Sequence, residues 1–143
     1  MRDRTEIAYT LMRIAAGFLF LCHGVQKLFG ALDGHRMPFG TMLGAAGVIE
    51  TVCGLLIAIG LFTSIAAFIA SGEMAVAFFL QHAPKGGLPI QNGGELAVLY
   101  CFAFLFVAAR GAGVWSVDAV LPTGPRRRVP LMCLGIRDSG SPL

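Results

Sequence analysis

Residues 7–29 read IAYTLMRIAAGFLFLCHGVQKLF. The stretch is long enough to cross a bilayer, whose hydrocarbon core of ~30 Å takes about 20 apolar residues. Yet it carries Arg13, His23 and Lys27. A charge in hydrocarbon costs about 2.5–3.5 kcal/mol even on the mildest insertion scale. Such residues are therefore expected to face protein, and the way they face one another is the route to function. Three more apolar segments repeat the pattern: about 39–62 with Glu50, about 64–82 with Glu73, and about 94–110 headed by Glu95. The expected fold is all-α, an integral membrane antiparallel four-helix bundle over residues 1–111. Leu61-Phe62-Thr63-Ser64 leaves room only for a tight turn, so the second and third spans should form a hairpin.

Composition agrees. The 143 residues are 56% hydrophobic and only 13% charged, against about 25% charged for a soluble domain. A soluble helical protein would lack polar surface. The first segment exceeds a signal-peptide core of about 7–15 residues and is read as retained. From residue 112 the composition turns to Pro122, Gly124, Pro125, Arg126–Arg128 and Pro130. Residues 112–143 are expected to form a mobile cytoplasmic tail. Arg2, Arg4, Arg110 and the Arg126–Arg128 cluster share one side under this topology, with Arg36 and Lys85 opposite. The positive-inside rule puts both termini in the cytoplasm of a multi-pass bacterial inner-membrane protein. No aromatic or motif company accompanies the triple arginine, so nucleic acid is not expected as a partner.

Cys22, Cys53, Cys101 and Cys133 show no CxxC spacing and read as small apolar packing residues. Gly17 and Gly24, then Gly40, Gly44, Gly47 and Gly54, then Ala66, Ala70 and Ala77 recur at helical offsets. Small residues let helices approach where lipid supplies no hydrophobic drive between them. Glu50 and Glu73 lie on these same stripes, hence facing inward.

Depth at about 1.5 Å per residue then suggests two polar layers. An inner, buried charge network would hold Arg13 with Glu73 and Glu50, either as a pair that fixes register or as a functional group. An outer polar site would hold His23, Lys27, His82, Asn92 and Glu95. His23 and Lys27 are four apart and share a helix face. A His23–Glu95 pair near an aqueous face suits proton exchange, whereas snorkelling alone would account for Lys27 and His82. No HxxxH or ExxH spacing supports a metal centre. No haem pair, iron–sulfur motif or nucleotide fingerprint is evident.

The residues resemble the DoxX family of small bacterial four-helix membrane proteins. The resemblance rests on Arg13-x-x-x-Gly17, the run Phe20-Leu21-Cys22-His23-Gly24-Val25-Gln26-Lys27-Leu28-Phe29-Gly30, Gly47-Val48-Ile49-Glu50 with Gly54, and Gly60-Leu61-Phe62-Thr63. It continues through Gly87-x-Pro89-x-x-Asn92-Gly93-Gly94-Glu95, Leu99-Tyr100 and Gly111-x-Gly113-x-Trp115-Ser116-x-Asp118. Thr63-Ser64 stands where many members have Thr-Arg. The family is named for similarity to a subunit of a thiosulfate:quinone oxidoreductase. The resemblance thus implies an accessory or quinone-interacting subunit of a membrane redox system, not a complete enzyme alone. Quinone is the ligand it implies; soluble redox enzymes or further copies of the chain are the protein partners. The residues leave two other readings open: a proton-linked transporter or channel, because intramembrane carboxylates mark such pathways, and a scaffold that recruits soluble redox partners.

Overall fold

The computed structural model describes residues 2–32, 36–38 and 40–121. These form α1 (Arg2–Phe29), α2 (Met42–Ile59), α3 (Thr63–Ala77), α4 (Pro89–Asn92), α5 (Glu95–Arg110) and α6 (Val117–Val120). A π-helical turn, Phe78–His82, and a 3-10 turn, Ala83–Lys85, continue α3. There is no strand among the described residues. The protein is an all-helical membrane protein. Three stretches of the described residues, 3–29, 42–59 and 63–85, are long and apolar enough to span. The segment expected to be the fourth is α5, whose 16 residues reach only ~24 Å at the helical rise.

Two tight helix pairs build the bundle. In the first, α1 and α2 run antiparallel with their glycines in register. A Cβ on Gly17 would stand 2.6 Å from the Ala58 nitrogen, and one on Gly54 would stand 2.5 Å from the Leu21 nitrogen. Those are backbone atoms, which no rotamer change can move aside, so glycine is required. In the second pair, α3 presents buried Ala66, Ala67 and Ala70 to α5. There the Ser71 hydroxyl donates to the Cys101 carbonyl at 2.8 Å. Phe20, Ile57, Phe104 and Val107 are fully buried where the pairs meet, with Phe20 and Phe104 edge to face at 4.8 Å. Leu11, Phe18, Val52, Phe68 and Phe102 point outward, the surface a bilayer demands.

The α2–α3 turn explains several sequence features at once. Gly60 sits at φ +77°, and both it and Leu61 donate to the Leu56 carbonyl at 2.9 Å. That is the usual way a helix ends on a left-handed glycine. The carbonyls of Ile57 and Ala58 still need donors, and the first N–H groups of α3 need acceptors. Arg13 supplies the former: its Nη1 donates to Ile57 O, and to Ala58 O at 3.0 Å, while Nη2 donates to Trp115 O at 2.8 Å. Asp118 supplies acceptors for the latter. Its carboxylate accepts from Phe62 N at 3.0 Å, Thr63 N at 3.1 Å and the Thr63 hydroxyl at 3.2 Å.

Two expectations are corrected here. Arg13 pairs with neither Glu50 nor Glu73; it caps the carbonyl end of α2. The depth count took α1 to enter the membrane at Ile7, but the stretch level with the hairpin turn is about two turns further on, near Arg13. Residues 112–121, expected to begin the free tail, instead fold back onto the hairpin. Ser116 caps α6 by accepting from Ala119 N, and Asp118 N donates to Gly60 O at 2.9 Å. The rest of the expected tail, 122–143, lies outside the described residues, as does Cys133. At the same end Tyr9 donates to Gly111 O, Arg110 pairs with Glu6, and the Arg110 guanidinium lies 3.9 Å over the Tyr9 ring.

Candidate functional site

The two pairs touch closely at the hairpin end and part at the other, because α2 and α3 are tied only by their short turn. Between them lies a cavity of about 470 Å³. Phe20, Ala97, Tyr100, Ile49, Met74 and Ala77 form its apolar lining. Exposed apolar side chains of α2 (Met42, Ala45) and α3 (Ile69, Val76) form its rim, so it opens sideways between those helices. Such a cavity suits a ligand of drug-like size that is itself mostly apolar.

Its polar groups are few and concentrated. His23 and Lys27 enter from α1, Glu50 from α2, Glu73 from α3, Gln81 and His82 from the π turn, and Tyr100 from α5. Lys27 Nζ donates to Glu50 Oε1 at 2.6 Å, with the glutamate 2% exposed and the lysine side chain 28% exposed. The other Glu50 oxygen, Oε2, is buried without a hydrogen-bond partner, and so is Glu73 Oε2. Glu73 has Glu50 and Lys27 as its electrostatic neighbours. The His23 ring stands edge-on to Tyr100, centroids 6.4 Å apart. Glu50 lies ten residues before Gly60 and Glu73 ten after Thr63. Both carboxylates therefore sit ~15 Å above the hairpin turn, about midway through the hydrocarbon core.

The sequence-level grouping is redrawn by this geometry. The inner network does not form, since Arg13 is elsewhere; Glu50 and Glu73 line the same cavity as His23, Lys27 and His82. Of the expected outer site, Glu95 is exposed and lies outside the cavity. It falls on the opposite side of α5 from Ala97 and Tyr100, so no His23–Glu95 pair exists. Asn92 is buried but turned into its own loop. Its Nδ2 donates to Gly86 O at 2.8 Å and its Oδ1 accepts from Gly94 N at 2.8 Å. It fixes the loop that leads into α5. His82 is held at the rim, Nδ1 3.2 Å from Asn92 O, its ring stacked near Phe78. Tyr100 was missed as a polar residue of the site. Its signal was the four-residue step to Phe104, which puts both rings on one face of α5. Cys22, Cys53 and Cys101 are free thiols. Among the described residues no three His, Cys, Asp or Glu side chains gather as metal ligands would.

A helical membrane protein with a laterally open, charge-bearing cavity is the class this architecture defines. The chain belongs to the DoxX family, whose model matches residues 8–83. It is similar to an uncharacterised protein of Haemophilus influenzae, 45% identical over 114 residues, covering 75% of this chain and 85% of the relative. It is also similar to an uncharacterised membrane protein of Mycobacterium tuberculosis, 28% identical over 125 residues, covering 75% of this chain and 77% of the relative. No solved structure gives a significant match.

Proposed function

We propose that the cavity binds a lipid-soluble quinone-type ligand and that the chain serves as an accessory subunit of a membrane redox system. One observation carries the reading. An apolar cavity open to the bilayer holds an ion pair, Lys27–Glu50, and a further carboxylate, Glu73, at mid-membrane depth. An apolar tail would thread the α2–α3 opening, and a polar ring would reach the charged groups. Lys27 and Tyr100 can donate to ring oxygens, and Glu50 and Glu73 can accept from them or exchange protons. That combination suits a ligand whose two redox states differ by protons as well as electrons. In this reading a partner enzyme supplies the electrons. We place the protein in the bacterial inner membrane with both termini cytoplasmic, on the basis of Arg4 and Arg110 at one end and Arg36 and Lys85 at the other.

The test is mass spectrometry of lipids retained after gentle detergent extraction. Wild type should retain quinone, and Ala46→Trp, which fills the cavity from α2, should not. Equal quinone in both samples would refute the site. Proton flux into quinone-free liposomes would instead assign the carboxylates to transport.

A further inference from the structure

Resting on that reading, we infer that the site selects the hydrogen-bond-donating, reduced form of such a ligand, an aromatic diol, over the oxidised dione. The argument is an inventory of donors and acceptors. Glu50 is 2% exposed, and only one of its oxygens is engaged, by Lys27. Its second oxygen and one oxygen of Glu73 are buried without partners. Both residues line the cavity. A carboxylate oxygen accepts and does not donate. In a low-dielectric interior an unmet acceptor is costly, and a ligand that meets it recovers that cost on binding.

The diol brings two O–H donors on one ring; the dione brings only acceptors. The cavity's donors do not discriminate, because a dione and a diol both present oxygens that accept. Lys27 gives one of its three N–H groups to Glu50, at 2.6 Å, and the others can donate to either form. His82 is tied at the rim to Asn92. His23, Gln81 and Tyr100, which also line the cavity, can each donate to a dione or accept from a diol. A dione leaves the unpartnered oxygen of an ionised carboxylate unmet, and a diol meets it. Specificity of this kind is large because the penalty falls on buried groups left unpaired by the wrong ligand. The charge balance points the same way: one ammonium faces two carboxyl groups, so the site favours partial positive charge from a ligand.

The experiment is equilibrium binding of a short-tailed ubiquinol analogue and of its oxidised form. The full chain is held in nanodiscs under anaerobic conditions. The expected result is at least tenfold tighter binding of the reduced form. Such a preference would raise the potential of the bound two-electron couple by about 30 mV. Glu73→Gln, which gives that position a donor of its own, should still bind but lose most of the preference. Its folding is checked by size exclusion and thermal melting; should it not fold, the wild-type ratio decides alone. Equal affinities, or tighter binding of the oxidised form, would overturn the selectivity and leave the quinone site standing. Binding of neither form would overturn both. A preference undiminished in folded Glu73→Gln would also sink the assignment to the carboxylates.

Discussion

Lys27→Met isolates the ion pair in the cavity. The variant keeps an unbranched chain of similar length and removes the ammonium that lies 2.6 Å from Glu50 Oε1. At that separation two unit charges attract by ~6 kcal/mol for an effective dielectric near 20. Desolvation offsets much of this, and losing one member of a buried pair costs about 3–5 kcal/mol in practice. Glu50, 2% exposed, would have neither oxygen bonded, because Oε2 already lacks a partner. The lysine is 28% exposed, so water and headgroups moderate its loss, and about 3 kcal/mol is expected. Reversible unfolding in mixed detergent–SDS micelles, followed by helical circular dichroism and by the fluorescence of the single tryptophan, Trp115, would measure it. The double variant Lys27→Met, Glu50→Gln should recover at least half the loss, since it removes the orphaned charge as well. A single variant within about 0.5 kcal/mol of wild type would refute the reasoning, as would a double variant no more stable than the single.

Gly54→Val should destabilise the α1–α2 pair by at least 1–3 kcal/mol, the usual range for overpacking, because its Cβ meets Leu21 backbone at 2.5 Å; Gly72→Ala, with open space around it, should be neutral or gain up to about 1 kcal/mol, and equal melts for the two would contradict the packing. Asp118→Ala should cost about 1–3 kcal/mol by leaving the first N–H groups of α3 unmet, and Asp118→Asn should cost less, as its amide oxygen can still accept from one of them, both read by thermal melting. Reporter fusions at Lys85 and after Leu121 should report opposite sides of the membrane; the same side for both would end the topology.

Much of the fold was legible because membrane helices announce themselves by length and hydropathy, and their contacts by glycine spacing. Gly17, Gly24 and Gly54 were read as close-approach positions, and each meets backbone across the α1–α2 seam. Vertical register was the illegible part. Counting residues from the apparent start of each apolar run assumes that every helix enters the bilayer at its first apolar residue. The 28 residues of α1 exceed what a bilayer needs, so its offset was free by about two turns. That one freedom put Arg13 beside the carboxylates on paper and beside the α2 terminus in fact. A clue was present: α2 has no basic residue in its last turn, so its carbonyls had to find a cation elsewhere. Glu95 failed for a different reason. Depth grouped it with His23, but depth carries no azimuth, and its step from Ala97 and Tyr100 turned it outward.

The charges therefore divide by task. At the hairpin end, Arg13, Asp118, Arg110 and Glu6 are engaged by helix termini and by one another. At the cavity, Lys27 satisfies one of four carboxylate oxygens, and two of the remainder are buried without partners. The fold meets the needs of its helix ends with residues more than a hundred positions apart. Thr10 Oγ1 and Arg13 Nε are buried without partners near the hairpin end, but the unmet carboxylate oxygens, those of Glu50 and Glu73, lie where the two helix pairs separate. Placing unmet carboxylate oxygens inside a cavity of about 470 Å³ is a poor arrangement for stability and a good one for capture. For that reason the cavity, and not the charged hairpin end, is where activity should be sought.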